Sequence, residues 1–254
     1  MYRFDSLAQR PEVLHAILAR TGGTSTGVFR SLNVGAVGDD PAAVRVNHSL
    51  IFRALGIPPA RVVTAHQLHG AQVAVVGRTQ EGAVVPATDS LITNTPGTVL
   101  MLRFADCLPL MLYDPSRHVV ALVHAGWRGV VAQVVANTVS ALHSSFGCRP
   151  VEMLACLGPA IRSCCYEVRR ELASKVEEAY ASHNGLLLTQ PDGALHFDLP
   201  AAVRRQLWLN GVQQIEDSEL CTSCHTEEFF SHRAERGRTG RFAAVLALRE
   251  EKGG

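Results

Sequence analysis

The stretch VLMLRFADCLPLMLYDPSRHVVALVHAGWRG, residues 99–129, decides the fold of this chain. Its apolar runs at 99–103, 108–113 and 119–123 have strand length and are rich in branched side chains, so they predict three buried β-strands. Asp114, Pro115 and Ser116 form a turn signal between the second and third runs. Gly126 and Gly129 end the last run.

The segments on either side of this stretch predict strands and helices in an irregular alternation. Further strands are predicted at 62–66, 72–76, 153–157 and 242–248, and helices at 46–55, 130–142, 167–180 and 201–210. The absence of a strict βαβ rhythm favours mixed sheets covered by helices, in the α/β or α+β class. No repeat or low-complexity linker divides the sequence, so a single domain spanning 1–254 is predicted.

Composition excludes several classes of function. The chain has 24 basic and 23 acidic side chains and a formal net charge of +1, which argues against nucleic-acid or membrane-surface partners. Its first residues lack a secretory signal, and its apolar runs are too short to cross a bilayer. Seven cysteines, an odd number, favour reduced thiols. We therefore expect a cytoplasmic protein.

Three residues with metal-binding side chains lie at predicted strand ends. His69 lies in HQLHG (66–70), Cys107 in FADCLP (104–109) and His124 in HAGWRG (124–129), each beside small residues. Two histidines and one cysteine form a known zinc ligand set that leaves a fourth position open. The alternative is that Cys107 is an ordinary core cysteine and the histidines are satisfied polar residues. The combination favours a metal site.

Arginines near glycines suggest an anion site. Arg128 precedes a predicted helix, where an anion is stabilised, and Trp127 could stack on a planar base; a core tryptophan and a surface charge are equally consistent. In FFSHRAERGRTGRF (229–242), Arg233 and Arg241 flank phenylalanines and are the better phosphate ligands. Arg236 and Arg238 are expected in a solvated loop.

The remaining cysteines are predicted to have no ligand role. The spacing of CTSCH (221–225) is that of covalent haem attachment and of half a zinc knuckle. Haem attachment requires export, for which there is no signal, and no second CxxC completes a knuckle. The other four are expected to be core or loop thiols: Cys148, Cys156, Cys164 and Cys165.

The ordered set of motifs closely resembles the laccase-domain, or YfiH-like, family, from about residue 20 to 248. To the three metal-ligand motifs it adds SLNVGAVGDDPAAVRVNH (31–48), ATDSLIT (87–93), LGPAIRSCCYEV (157–168), CTSC (221–224) and FFSHR (229–233) followed by TGR (239–241). The resemblance implies a four-layer α/β/β/α sandwich with mixed sheets, like the catalytic domain of cytotoxic necrotising factor. It also implies zinc held by His69, Cys107 and His124. Phe104 and His232 depart from the family, which usually has Thr and Tyr there.

Members of this family are associated with phosphorolysis of adenosine, inosine and methylthioadenosine, and with adenosine deamination. The leading hypothesis is therefore a zinc-dependent purine nucleoside phosphorylase with additional adenosine deaminase activity. Its partners are a purine nucleoside and phosphate, and a monomer is favoured. The residues predicted to bind the substrate or phosphate are Arg128, Arg233, Arg241 and Asn33. Asp106, beside Cys107, either orients that ligand or acts as an acid/base group, and a turn-capping role is equally consistent.

Three alternatives remain open. In a Cys–His amide hydrolase that edits peptidoglycan precursors, Cys107 is the nucleophile and His124 the base. A copper-dependent polyphenol oxidase uses copper in place of zinc, but the chain offers one HxxH pair, His66 and His69, where multicopper oxidation needs several. The third alternative is a non-catalytic protein that uses the fold as a scaffold.

Overall fold

Two stacked β-sheets form the centre of the protein in the computed structural model, which describes residues 1–180 and 185–250. The strands are β1 Val13–Ile17, β2 Val62–Ala65, β3 Val73–Val75, β4 Val84–Val85, β5 Ser90–Thr93, β6 Val99–Phe104, β7 Leu108–Asp114, β8 Val119–Ala125, β9 Leu154–Leu157, β10 Glu167–Val168, β11 Leu187–Thr189, β12 Leu195–Phe197, β13 Gln214–Asp217 and β14 Phe242–Leu248. One sheet has the order β1-β14-β6-β2-β4 and the other β13-β9-β7-β8-β5-β3. A small third sheet has the order β10-β12-β11.

Helices cover the outer faces of the two large sheets. The α-helices are α1 Asp5–Ala8, α2 Pro41–Leu55, α3 Trp127–Val131, α4 Val134–Phe146, α5 Arg170–Ala179 and α6 Leu199–Leu209. Helix α2 packs on the five-stranded sheet through Ile51 and Leu55, while α4 and α6 cover the six-stranded sheet. A third apolar cluster fills the space between the sheets. These four layers, and the parallel and antiparallel pairs within each large sheet, confirm the predicted α/β/β/α architecture.

The central strands follow the apolar runs of residues 99–129. Every residue of β7 and β8 is buried, because both sheet faces are covered, and this explains their continuous rather than alternating hydrophobicity. The two strands are antiparallel neighbours, with Pro109 opposite His124. Cys107, immediately before β7, therefore lies beside the end of β8 that carries His124.

The predicted helices differ from the observed ones at their ends. The predicted helix 130–142 is two helices, because Gln133 adopts a left-handed conformation (φ 65°) between α3 and α4. The predicted helix 167–180 begins as strand β10 and becomes helical only at Arg170. Helix α2 starts five residues before the predicted position, because Asp40 accepts a hydrogen bond from the Ala42 N–H and caps it. None of the described helices is both long enough and apolar enough to span a membrane.

A buried histidine makes the stability of the fold depend on pH. His15 on β1 is 3% exposed, and its Nε2 accepts a hydrogen bond from the Phe4 N–H at 3.0 Å. Burial, aided by the charge of Arg3, lowers its pKa from 6.5 to about 4. As the pH falls, the unfolded chain takes up this proton below 6.5, whereas the folded chain does so only near 4.

We therefore expect acid to destabilise the fold through His15. Between these two pKa values, the free energy of unfolding should fall by about 3 kcal/mol on account of this side chain. Urea unfolding of the wild-type protein and His15→Gln, at about pH 7.5 and about pH 4.5, measures the effect. Glutamine can accept the same hydrogen bond but does not titrate, so the wild type should lose more stability than the variant. An equal loss in both would contradict the assignment.

Candidate metal centre and anion-binding cavity

The three predicted metal ligands meet at one point between the two large sheets. His69 lies in the loop after β2, Cys107 in the turn between β6 and β7, and His124 on β8. Their ligand atoms all lie within 4.8 Å of one another. The His69 and His124 ring centroids are 4.8 Å apart, with the rings inclined at 74°. The cluster has the composition and size of a site for a borderline or soft metal ion.

Asp89 organises this cluster, and the sequence analysis did not select it. Its buried carboxylate contacts Nδ1 of His124 at 2.8 Å. It also accepts hydrogen bonds from the backbone N–H groups of Leu68, His69 and Gly70, at 3.1, 2.9 and 2.8 Å. These bonds hold His69 in its left-handed conformation (φ 59°). Asp89 thus fixes both histidines and leaves Nε2 of His124 for a ligand, as carboxylates do behind metal-binding histidines.

Electrostatics favour a thiolate at Cys107. Burial acts to raise the pKa of this thiol, but His124 and His69 outweigh burial and lower the pKa to about 6. Burial likewise acts to lower the pKa of His124, yet Cys107 and Asp89 raise it to about 9. The sulfur is therefore readily deprotonated, which is the form that binds a metal or acts as a nucleophile.

Gly126 leaves the space in which the ligands converge. A Cβ atom at this position would lie 2.8 Å from Sγ of Cys107 and 3.2 Å from Cδ2 of His69. Because the backbone on both sides is held by β8 and α3, the two ligands would have to move instead. The glycine is thus required by the cluster rather than by its own backbone conformation.

We expect Gly126→Ala to lower the affinity for zinc at least about tenfold, because it displaces two of the three ligands. Competition with a chromophoric chelator measures the affinity. Gly77→Ala is the matched control: its Cβ would meet only the hydroxyl of Thr95, at 3.1 Å, far from the cluster. Unchanged zinc affinity in Gly126→Ala would show that the cluster does not bind the metal.

The ligand cluster opens into a cavity of about 1000 Å³ rich in arginine. The arginines that line it are Arg103, Arg128, Arg233, Arg238 and Arg241. Within the described part of the chain, none of them forms a salt bridge. Several guanidinium groups without a salt-bridge partner at the wall of one cavity favour an anionic ligand.

Burial disfavours the charged form of two of the cavity arginines, Arg103 and Arg241. Burial, together with the nearby charge of Arg241, lowers the pKa of Arg103. Burial also lowers the pKa of Arg241, against the opposite effect of Cys107, Asp106 and Glu235. Arg103 donates to the carbonyl of Ala65 at 3.0 Å, and Arg241 to the carbonyl of Gly240 at 2.7 Å. The carbonyls orient these side chains, and an anion bound between them would offset their charges. Arg103 is the second residue of the site that the sequence analysis did not select.

The other predicted substrate residues occupy different parts of the cavity. Arg128 lies over the ring of Trp127 at 4.5 Å, and Arg233 over that of Tyr166 at 5.2 Å. The amide oxygen of Asn33 accepts hydrogen bonds from the backbone N–H groups of Gly35 and Arg241, at 2.8 and 2.7 Å. Asn33 therefore supports the backbone of Arg241 from within the fold.

Asp106, the neighbour of Cys107, is engaged by hydrogen-bond donors. It adopts a left-handed conformation (φ 81°) in the β6–β7 turn. Its carboxylate accepts the Thr222 hydroxyl at 2.7 Å and the Arg233 backbone N–H at 2.6 Å. Among the predicted roles, this geometry favours positioning: Asp106 ties the turn that carries Cys107 to the segment that carries Arg233.

The two positions that depart from the family, Phe104 and His232, differ in whether they line the cavity. Phe104 is buried, and its ring lies 5.4 Å from that of His124 and 5.9 Å from that of Phe242. It supports the ligand from behind rather than lining the cavity. His232 does line the cavity, so it is the one that a substrate can contact.

The other four cysteines lie in the core or in a loop, as expected, but two of them have sulfur neighbours that the sequence did not predict. Cys148 and Cys156 are buried in the core. Cys164 and Cys165, however, meet Cys221 and Cys224, and the four sulfur atoms all lie within 4.8 Å of one another. The spacing along the chain gave no sign of this, because the two pairs are brought together only by the fold.

Comparison with known proteins places the chain in a family. The family model described as multi-copper polyphenol oxidoreductase laccase matches residues 14–249. The chain belongs to this family. In the described residues, the groupings of three or more potential metal ligands are His69–Cys107–His124 and the four cysteines Cys164, Cys165, Cys221 and Cys224.

Relatives and solved structures agree with this assignment. The chain is 40% identical over 233 residues to purine nucleoside phosphorylase SCO2081 of Streptomyces coelicolor, covering 90% of this chain and 93% of the relative. It is 36% identical over 246 residues to purine nucleoside phosphorylase YlmD of Geobacillus stearothermophilus, covering 92% and 90%. The crystal structure of the hypothetical protein YfiH from Bacillus licheniformis superposes with a TM-score of 0.91 at 33% identity, covering 96% of this chain and 95% of that one.

Proposed function

We propose that this chain is a zinc-dependent purine nucleoside phosphorylase. The observation that carries the proposal is the shared cavity: the His69–Cys107–His124 cluster and the half-buried pair Arg103 and Arg241 face the same space. Phosphorolysis needs an anion and a nucleoside held together in this way. The names of the similar Streptomyces and Geobacillus proteins support the same activity.

The donor atoms of the cluster suit zinc, and so does the hydrogen bond that orients one of them. Two imidazoles and one thiolate are a catalytic zinc set, and the hydrogen bond to Asp89 gives His124 the orientation that a ligand needs. When bound there, the cation would supply Lewis acidity, which polarises a substrate oxygen or activates water. Because it can activate water, the same site is also proposed to deaminate adenosine. Free thiols remain reduced in the cytoplasm, the location we assign.

The arginines would bind and orient phosphate. Forked guanidinium groups match phosphate oxygens, and Arg103 and Arg241 have no carboxylate to compete with them among the described residues. One phosphate oxygen then attacks C1′ of the ribose. The C1′–N9 bond breaks, the purine leaves with the electron pair and takes up a proton, and ribose 1-phosphate forms. Positioning and charge compensation are the protein's contributions.

Aromatic side chains that line the same cavity would hold the purine. Trp127 and Tyr166 line it, and each has an arginine over one face of its ring. Planar rings backed by cations are suited to stacking on a base. Adenosine, inosine and methylthioadenosine all present such a base, so all three are proposed substrates, bound by a monomer.

The proposal is tested with purified protein and a panel of these nucleosides, with and without phosphate, while bound zinc is quantified by elemental analysis. Free purine and ribose 1-phosphate should form only when phosphate is present. The activity should disappear after chelation and return with zinc. Release of the base at the same rate without phosphate would refute a phosphorylase.

One observation favours a second function. Cys107, His124 and Asp89 form a chain of contacts with the composition of a Cys–His–Asp triad, as expected of an amide hydrolase acting on peptidoglycan precursors. Metal content separates the two functions. Full amidase activity in a zinc-free preparation would support the hydrolase, since zinc on the sulfur would block the nucleophile.

A further inference from the structure

A second cluster of sulfur atoms lies on the surface, apart from the His69–Cys107–His124 group. It consists of Cys164 and Cys165, from the segment before β10, and Cys221 and Cys224, from the segment after β13. Sγ of Cys224 lies 3.7 Å from that of Cys164 and 3.4 Å from that of Cys165. Cys221 is buried, whereas Cys164 and Cys224 are exposed. We call these four residues the cysteine cluster.

Backbone hydrogen bonds hold the two segments together. Ala160 and Cys221 form an isolated parallel β-bridge, in which the Ala160 N–H donates to Leu220 at 3.2 Å and the Thr222 N–H to Ala160 at 3.0 Å. In the second segment, the N–H groups of Cys224 and His225 both donate to the carbonyl of Cys221. The Cys-x-x-Cys turn is therefore already folded with both of its sulfurs toward the first segment.

The distances fit a metal ion better than disulfides. Zinc binds thiolate sulfur at about 2.3 Å, so the sulfurs of a tetrahedral site lie about 3.8 Å apart. The 3.4–3.7 Å separations from Cys224 and the 4.8 Å limit for the whole set lie near this value. A disulfide needs its two sulfurs at about 2.05 Å and joins only one pair. Cys224 here is close to two partners at once.

We propose that the cysteine cluster is a second, structural zinc site with four thiolate ligands. Four thiols lose their protons as Zn²⁺ binds, and four sulfurs complete a tetrahedron with no open position, so the site is not catalytic. Exposed Cys164 and Cys224 provide the path of entry. This proposal concerns residues outside the catalytic cavity and does not depend on the proposed function.

The position of the cluster indicates what the metal would stabilise. Tyr166, which lines the catalytic cavity, follows Cys165 directly. Thr222, next to Cys221, donates to Asp106 in the metal-ligand turn at 2.7 Å. A zinc ion would therefore tie together two segments that form one wall of the cavity.

The test counts metal ions in the full-length protein, purified under reducing, oxygen-free conditions with zinc. Elemental analysis should give about two zinc ions per wild-type chain, and about one each for Cys164→Ser/Cys224→Ser and for His69→Ala. The ion kept by the double variant shows that it is folded. Cys148→Ala, which removes a buried cysteine outside both clusters, should keep both ions.

Cobalt substitution identifies the ligands independently of the count. Co²⁺ in the wild type should show the intense thiolate charge-transfer absorption of a tetrahedral sulfur site, and the double variant should lose most of it. One zinc ion in the wild type and none lost in the double variant would overturn the proposal. A mass loss of two hydrogens per bond under these reducing conditions, indicating a disulfide within the cluster, would overturn it as well.

Discussion

Replacement of Cys107 by serine is expected to remove the catalytic metal and to lower kcat/KM for inosine phosphorolysis by at least about 10³-fold. Cys107 supplies the only sulfur in the three-residue cluster, and its thiolate is the only anionic ligand there. A hydroxyl does not ionise in this environment, so the site loses most of its affinity for zinc. Lewis acidity is worth several kcal/mol in the transition state, and each 1.36 kcal/mol is about tenfold in rate.

Two measurements on the same sample check this prediction: the zinc content and the rate of base release with saturating phosphate. Cys156→Ser is the matched control, because it changes a buried cysteine whose sulfur lies 3.3 Å from the Ser6 hydroxyl and far from the cavity. It should keep both the metal and the activity. A Cys107→Ser protein with full activity would exclude any catalytic role for the cluster.

The sequence was sufficient to predict the central strands and the meeting of the three ligands. Residues 99–123 encode strands by uninterrupted apolar runs, and two antiparallel strands joined by a short turn necessarily bring Cys107 near His124. His69 was predicted there from its position after a strand and from the family resemblance. Local pattern therefore determines the part of the site that is made by neighbouring strands.

The supporting residues could not be predicted, because their partners are distant in the chain. Asp89 holds a loop twenty residues before it and a histidine on β8, and nothing in ATDSLIT distinguishes it from a turn residue. In the sequence, Arg103 is simply the polar residue at the end of an apolar strand. Only the structure shows that it lies near Arg241. The paired cysteines of the second cluster are separated by more than fifty residues for the same reason.

The predicted helix ends were wrong for a different reason: tertiary packing competes with the local helical pattern. The run 130–142 has helical periodicity throughout, yet Gln133 takes a left-handed conformation. Helix α3 packs directly on the loop that carries His69: a Cβ atom at Gly129 would lie only 2.7 Å from the carbonyl oxygen of Gly70. Helix α4 then begins at Val134 and packs on the six-stranded sheet. Tertiary packing at the site has overridden helix propensity.

Arg241→Ala is expected to raise the KM for phosphate by about 10- to 100-fold and to leave the KM for inosine and the zinc content nearly unchanged. A hydrogen bond to a charged group contributes about 1.5–3 kcal/mol, and each 1.4 kcal/mol is about tenfold in affinity. The half-buried guanidinium lies beside Arg103 and has carbonyls but no salt-bridged carboxylate among the described residues. Its charge is therefore available to the anion.

Initial rates at varied phosphate, with saturating inosine, separate anion binding from a general loss of structure. Arg236→Asn is the control: Arg236 is exposed on the same segment and outside the cavity lining, and asparagine tolerates its left-handed conformation (φ 52°). It removes the same charge and should leave the phosphate KM unchanged. If Arg241→Ala instead lowers kcat at every phosphate concentration without changing that KM, Arg241 supports the cavity wall and phosphate binds elsewhere.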